Sequence, residues 1–238
     1  MNKKIGILDS GIGGTTVLQE IIKLLPKEDY VYYADSKNNP YGEKTQEEIY
    51  NIVNNIVDYL INKKDCKIIV IACNTATTRC MKQLKEKYNK TPFVGTVPAI
   101  KVACDNHYKK TLVLATPSTI ESERTHELVK DNKKEDQEII LKSCDGLANA
   151  IETKNYNKIK TILQQIKNDV SEKEIDSIVL GCTHYPLIKE DIKKYFPSAQ
   201  VLDGSSGVAK EVKRQLEKHH LLNTLGTSQV EYINSKEQ

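Results

Sequence analysis

The chain has 238 residues, of which 28% are charged, and a formal net charge of only +3. That length allows one large domain or two small ones, each with a real core. The near-balance of charge, with lysines interspersed among Glu and Asp along helices, argues against a nucleic-acid partner.

No apolar run nears a membrane span, and the stretch after Met1–Asn2–Lys3–Lys4 is too short for a signal-peptide core. A cytoplasmic chain with reduced thiols and no membrane partner is therefore expected. The cysteines at 66, 73, 80, 104, 144 and 182 contain no C-x-x-C pair, so no metal is expected.

In chain order, apolar β-branched runs alternate with helical periodicity, the pattern of a parallel α/β fold. Strands are predicted at 4–8, 30–34, 67–72 and 91–95, with helices over 17–25, 45–61 and 76–88. The second half repeats the plan, with strands at 111–115, 138–142, 176–181 and 199–202 and helices near 120–129, 159–170 and 187–196. Leu8 maps to Leu114 or Ala115, Ala34 to Lys142, Cys73 to Cys182 and Val94 to Val201, a shift of roughly 107 to 109 positions.

Two similar lobes are expected, each a parallel sheet flanked by helices, with the active site in the cleft between them. The expected bounds are 1–97 plus 207–238 for the first and 98–206 for the second. Pro98–Ala99–Ile100 opens a helix, and a last helix over 208–221 is expected to pack back on the first lobe. The charge cluster 131–138 reads as a solvated turn, and the polar tail from Asn223 as a fraying end.

The unusual residues fall at strand ends, where open α/β sheets bind ligands. Asp9–Ser10–Gly11–Ile12–Gly13–Gly14 is a glycine-rich turn before a helix, able to present N–H groups to an anion. It is a poor dinucleotide fingerprint, because Thr16 stands where the third glycine belongs. Asp35–Ser36 and Asn38–Asn39–Pro40–Tyr41–Gly42 form a loop that is a candidate pocket wall.

Cys73 and Cys182 each end a buried-type strand and precede a predicted helix N-terminus, where partial positive charge favours thiolate. Cys66, Cys80, Cys104 and Cys144 read as small core hydrophobes. His184 lies two residues after Cys182 and can share its proton, whereas His107, His126, His219 and His220 read as surface residues.

Two acid/base thiols flanking a small anion suit proton removal from one face of a carbon and return to the other. Ser10, Asn74, Thr75 and Thr183 are the right types to grip the substrate's carboxylates. Cys73 to Arg79 also fits C-x5-R, the phosphate loop of cysteine phosphatases, although the segment has no glycine and leaves Cys182 idle. A non-catalytic amino-acid-binding protein is a third reading.

Leu8–Asp9–Ser10–Gly11–Ile12–Gly13–Gly14, Pro40–Tyr41–Gly42, Ala72–Cys73–Asn74–Thr75–Ala76 and Leu180–Gly181–Cys182–Thr183–His184–Tyr185–Pro186–Leu187 resemble, in order, the cofactor-independent aspartate/glutamate racemases. Thr183–His184–Tyr185–Pro186 favours the glutamate branch over the aspartate branch. The resemblance implies interconversion of L- and D-glutamate without pyridoxal phosphate or other cofactor, supplying D-glutamate for peptidoglycan, and a possible homodimer.

It further implies that Cys73 handles the proton of the D-enantiomer and Cys182 that of the L-enantiomer, with Asp9 and His184 assisting. Asp9–Ser10, Tyr41–Gly42, Asn74–Thr75 and Thr183–His184 match substrate contacts, and Thr116 and Thr119 weaker ones. The sequence departs from the family's common proline-rich form over 143–152, which leaves the role of Glu152 open. An aromatic residue often seen in the family is also missing near 121–126.

Overall fold

The computed structural model describes residues 3–170 and 174–237; Met1, Asn2 and Gln238, which bound the expected first lobe, lie outside them. The chain divides into two compact units, Met1–Thr96 with Ser205–Gln238, and Val97–Gly204.

The first unit runs β1 (Lys4–Asp9), α1 (Thr15–Leu24), β2 (Tyr30–Ala34), α2 (Gln46–Asn62), β3 (Cys66–Ile71), α3 (Asn74–Lys87) and β4 (Phe93–Gly95). The second runs α4 (Ile100–Asp105), β5 (Lys110–Ala115), α5 (Pro117–Ile120), α6 (Glu123–Asn132), β6 (Glu138–Ser143), α7 (Leu147–Glu152), α8 (Tyr156–Asp169), β7 (Ser177–Leu180), α9 (Lys189–Tyr195) and β8 (Gln200–Asp203). The chain then returns to the first unit with α10 (Ser205–Lys218) and β9 (Val230–Asn234).

Among the described residues the strand orders are β4-β3-β1-β2-β9 and β6-β5-β7-β8, with every pairing parallel. Read from its other edge, the second sheet is β8-β7-β5-β6, the order of the first sheet without β9. The repeat seen in the sequence is thus a repeat of topology. In each sheet all carboxyl ends lie on one edge, so the polar residues that follow the strands collect there.

Both sheets are covered on both faces, as fully parallel sheets must be. In the first unit, Ile5, Ile7, Ile68 and Val70 pack with Val17, Leu18 and Ile21 of α1 and Val208, Val212 and Leu216 of α10. On the other face, Ile69 and Ile71 pack with Val53, Val57 and Leu60 of α2 and Ala76, Cys80 and Leu84 of α3. In the second unit, Val113 and Val179 meet α4 and Leu128 of α6 on one face. Leu112, Leu114, Ile178 and Leu180 meet α7, α8 and Ile192 of α9 on the other. No helix among the described residues is long and apolar enough to cross a membrane.

Three expectations need correction. The tail over 223–237 does not fray: Val230–Asn234 is the fifth strand of the first sheet, paired along β2 from Tyr30↔Val230 to Ala34↔Asn234. It is an edge strand with only Ile233 buried, so its sequence carries half the apolar signal of a central strand.

The helix expected over 120–129 is two, broken at Ser122, whose hydroxyl accepts the Thr125 N–H at 3.2 Å as an N-cap. The helix expected near 187–196 begins as a 3-10 turn over Tyr185–Ile188 before α9.

Candidate active site

In the first unit, β1 delivers Asp9 to the carboxyl edge with its side chain wholly buried. Among the bonds that hold the turn after it, Gly11 N–H donates to Asp9 Oδ2 at 3.1 Å, and Tyr32 Oη donates to the Gly11 carbonyl at 2.8 Å. Gly14 is required where it stands, because a Cβ there would lie 2.7 Å from Asp9 Cβ and 3.0 Å from Ala72 Cβ.

Cys73 follows β3 and is the N-cap of α3. Its sulfur accepts the Ala76 N–H at 3.5 Å, and its thiol donates to Ser10 Oγ at 3.7 Å. The positive end of a 14-residue helix therefore lies at this sulfur, which favours thiolate. Asn74 and Thr75 occupy the first turn of α3, both buried, and so line the same edge.

Asp35, after β2, accepts Asn38 Nδ2 on both oxygens at 3.0 Å and Tyr41 Oη at 2.7 Å. Tyr41 and Gly42 form a 3-10 turn, with the Tyr41 ring buried. Burial first, then Asp35, then the nearby Cys73 and Asp9 push the Tyr41 hydroxyl well above its ordinary pKa. It stays a neutral donor beside the thiol.

Arg79 does not complete a phosphate loop. Residues 74–79 are already α-helix, and Thr77 N–H donates to the Cys73 carbonyl at 2.9 Å. From Thr77 onward the amides are committed to helix carbonyls and cannot turn in to wrap a phosphate as the five amides of such a loop would, and Arg79 sits half-buried in the second turn of α3. The phosphatase reading is set aside on that ground.

In the second unit, Gly181 lets β7 pass close to β5, since a Cβ there would be 2.9 Å from Ala115 Cβ and 3.0 Å from the Leu114 carbonyl oxygen. Cys182 follows, with its Sγ 3.9 Å from His184 Nδ1. His184 Nε2 is 2.7 Å from Glu152 Oε2, the two side chains 2% and 10% exposed. Thr183 is buried between the two functional residues. Thr116 and Thr119 join through their hydroxyls at 3.0 Å at the start of α5.

Cys182 differs from the expectation in one respect. No long helix starts at it, because Tyr185–Ile188 is 3-10 and α9 has only 7 residues. Instead of a helix terminus, the second sulfur has a carboxylate–imidazole pair. Glu152 at Nε2 fixes the imidazole so that Nδ1 faces the thiol, able to take or return its proton.

Glu152, whose role the sequence left open, is carried at the last position of the short helix α7 and reaches His184 from there. Asp35 and Asn38, which shape the Tyr41 loop, carried no signal beyond their position after a strand.

The remaining cysteines are core. Burial pushes the thiols of Cys66, Cys80 and Cys144 up to about 12 and that of Cys104 up as well, so they stay protonated. His107, His126, His219 and His220 are exposed. Among the described residues no group of three or more His, Cys, Asp or Glu is placed to hold a metal.

With this geometry in view, residues 5–212 match the model of the Asp/Glu/hydantoin racemase family. The chain belongs to that family. It is 42% identical over 228 residues to a glutamate racemase of Clostridium perfringens (strain SM101), covering 94% of this chain and 87% of that one.

Among solved structures, it is similar to the Francisella tularensis glutamate racemase in complex with D-glutamate (TM-score 0.84, 29% identity, 98% of this chain and 88% of that one). It is equally similar to the Escherichia coli glutamate racemase in complex with L-glutamate and the activator UDP-MurNAc-ala (TM-score 0.84, 30% identity, 98% and 89%). The family members share two parallel α/β lobes, the architecture found in this chain.

Proposed function

We propose that this chain interconverts L- and D-glutamate by a two-base proton transfer, with Cys73 and Cys182 working on opposite faces of one α-carbon. The observation that carries the reading is the repeat. Topologically equivalent strands, β3 and β7, each end two residues before a thiol, and each thiol has its own proton-handling support. The 42% identity to a glutamate racemase supports glutamate over aspartate as substrate.

In the direction from D to L, the Cys73 thiolate, favoured by the α3 terminus, removes the α-proton, and the Cys182 thiol delivers one to the opposite face. In the other direction the roles exchange, Cys182 removing the proton with His184, held by Glu152, beside its sulfur. The α-proton is weakly acidic, so the developing carbanion needs fixed donors and little water. Ser10, Asn74, Thr75, Thr183 and the Tyr41–Gly42 turn are assigned to the carboxylates and the amino group, and Asp9 to the support of Cys73.

The product D-glutamate is assigned to peptidoglycan synthesis in the cytoplasm, and the family resemblance adds a homodimer, which sedimentation of the purified chain would test. The chemistry itself is tested by incubating the protein with L-glutamate in D2O without added cofactor. Loss of optical rotation should accompany deuterium at the α-carbon. No exchange and no loss of rotation would overturn the reading.

A further inference from the structure

The last strand ends beside the candidate site. β9 runs parallel to β2 as far as Ala34↔Asn234, and the chain then makes a 3-10 turn over Ser235–Glu237. Ser235 is buried, and its hydroxyl accepts the backbone N–H of Lys37 at 2.9 Å across 198 positions of sequence. Lys37 lies in the loop between β2 and the Tyr41 turn. Asp35 grips that loop from within, through the Asn38 side chain, the Asn38 N–H at 3.2 Å to its carbonyl, and Tyr41 Oη.

The segment that brings Ser235 there is itself tied down along its length. Lys67 Nζ donates to the Leu221 carbonyl at 2.6 Å and to Asn223 Oδ1 at 2.9 Å, and Asn223 N–H donates to Glu28 Oε1 at 2.8 Å. Ser228 Oγ donates to the Pro26 carbonyl at 2.6 Å, and Gln229 N–H to Asp29 Oδ1 at 3.1 Å. Gly226 runs so close to the Lys27 carbonyl that a Cβ would fall 2.0 Å from its oxygen.

We propose that residues 221–237 form a strap whose far end, Ser235, is a positioning residue for the Ser36–Gly42 substrate loop. The inference rests on the racemase reading for the loop's role. Its physical content is ordering. A loop pinned on both sides before substrate arrives has less conformational freedom to lose on binding. One backbone hydrogen bond to a hydroxyl is worth about a fivefold change in an equilibrium. Because the pin acts equally before and during proton transfer, its loss weakens uniform binding and appears in KM, with kcat kept.

The test compares Ser235→Ala, Ser235→Thr and Ser228→Ala, the last deleting a hydroxyl from the same strap just before β9, at the opposite edge of the sheet from Ser235. Racemisation is measured from both enantiomers, together with amide hydrogen exchange of peptides spanning residues 36–42. Ser235→Ala should raise KM about fivefold for both enantiomers, leave kcat within about twofold, and speed exchange in the loop. Ser235→Thr, which keeps the acceptor, should restore both, and Ser228→Ala should change neither. A Ser235→Ala protein with the parent's KM and loop exchange would overturn the strap. Absence of racemisation in the unaltered protein would instead overturn the racemase reading, while the exchange data would still judge the strap.

Discussion

Replacing Glu152 by Gln keeps the shape of the His184 partner and removes its charge. The pair is 2.7 Å apart with side chains 2% and 10% exposed, so water does little to replace the lost carboxylate. A charge-assisted bond is about twice as strong as a neutral one, which puts the loss at about 1–2 kcal/mol in any state with the imidazole protonated. That corresponds to roughly a tenfold fall in kcat/KM.

The fall must be equal in both directions. Enantiomers have equal free energy in water, so the ratio of their kcat/KM values stays at unity in every variant. The asymmetry appears elsewhere. Proton removal from L-glutamate by Cys182 should slow, while removal from D-glutamate by Cys73 should not. In D2O, D-glutamate should then exchange its α-proton faster than it inverts, by a larger margin than in the parent. Unchanged kcat/KM, or equal loss of exchange from both enantiomers, would refute the assigned Glu152–His184–Cys182 relay.

Two further predictions concern stability. Lys67 and Glu28 form an ion pair at 2.6 Å with side chains 3% and 1% exposed. Lys67→Met leaves a buried carboxylate unpaired, at a cost of about 3–5 kcal/mol, or roughly a 10 °C fall in Tm by calorimetry. Adding Glu28→Leu should recover much of it, and a Lys67→Met protein with the parent's Tm would contradict the pair's burial.

Cys66, Cys80 and Cys144 are held protonated up to about 12 in the folded chain against an ordinary value of 9.0. Above pH 9 the unfolded chain releases protons that the folded chain keeps, so their stabilisation is full below pH 9 and is lost between about 9 and 12. At pH 10 the three together cost about 4 kcal/mol. Tm should drop steeply over that window, and less steeply in Cys80→Ala; the same slope in both would count against burial as the cause.

What the sequence made legible, and what it hid, follows from where the signal resides. The central strands are buried on both faces, so each is a continuous apolar run, and their shared offset exposes the duplicated topology. Cys73, Cys182 and His184 were readable because they stand where those runs stop.

β9 was hidden because an edge strand presents only Ile233 to the core. α7 was hidden because 6 residues are too few to show a period, and with it went the placement of Glu152. The cap at Ser122 was readable in principle from a Ser placed just before Glu123, yet the apolar pattern ran through it. Lys67, inside an otherwise apolar strand, and Ser235, in a polar tail, owe their roles to partners distant in sequence. Local pattern carries no trace of such pairings.

The central claim is that two thiols act, one on each face, and it is tested most directly by Cys73→Ser and Cys182→Ser assayed side by side. Each should abolish racemisation measured by loss of optical rotation. With a glutamate analogue that bears a leaving group at the β-carbon, each should retain elimination from one enantiomer alone: Cys182→Ser from the D form, Cys73→Ser from the L form. Full racemisation by either variant, or elimination from the same enantiomer by both, would contradict the account.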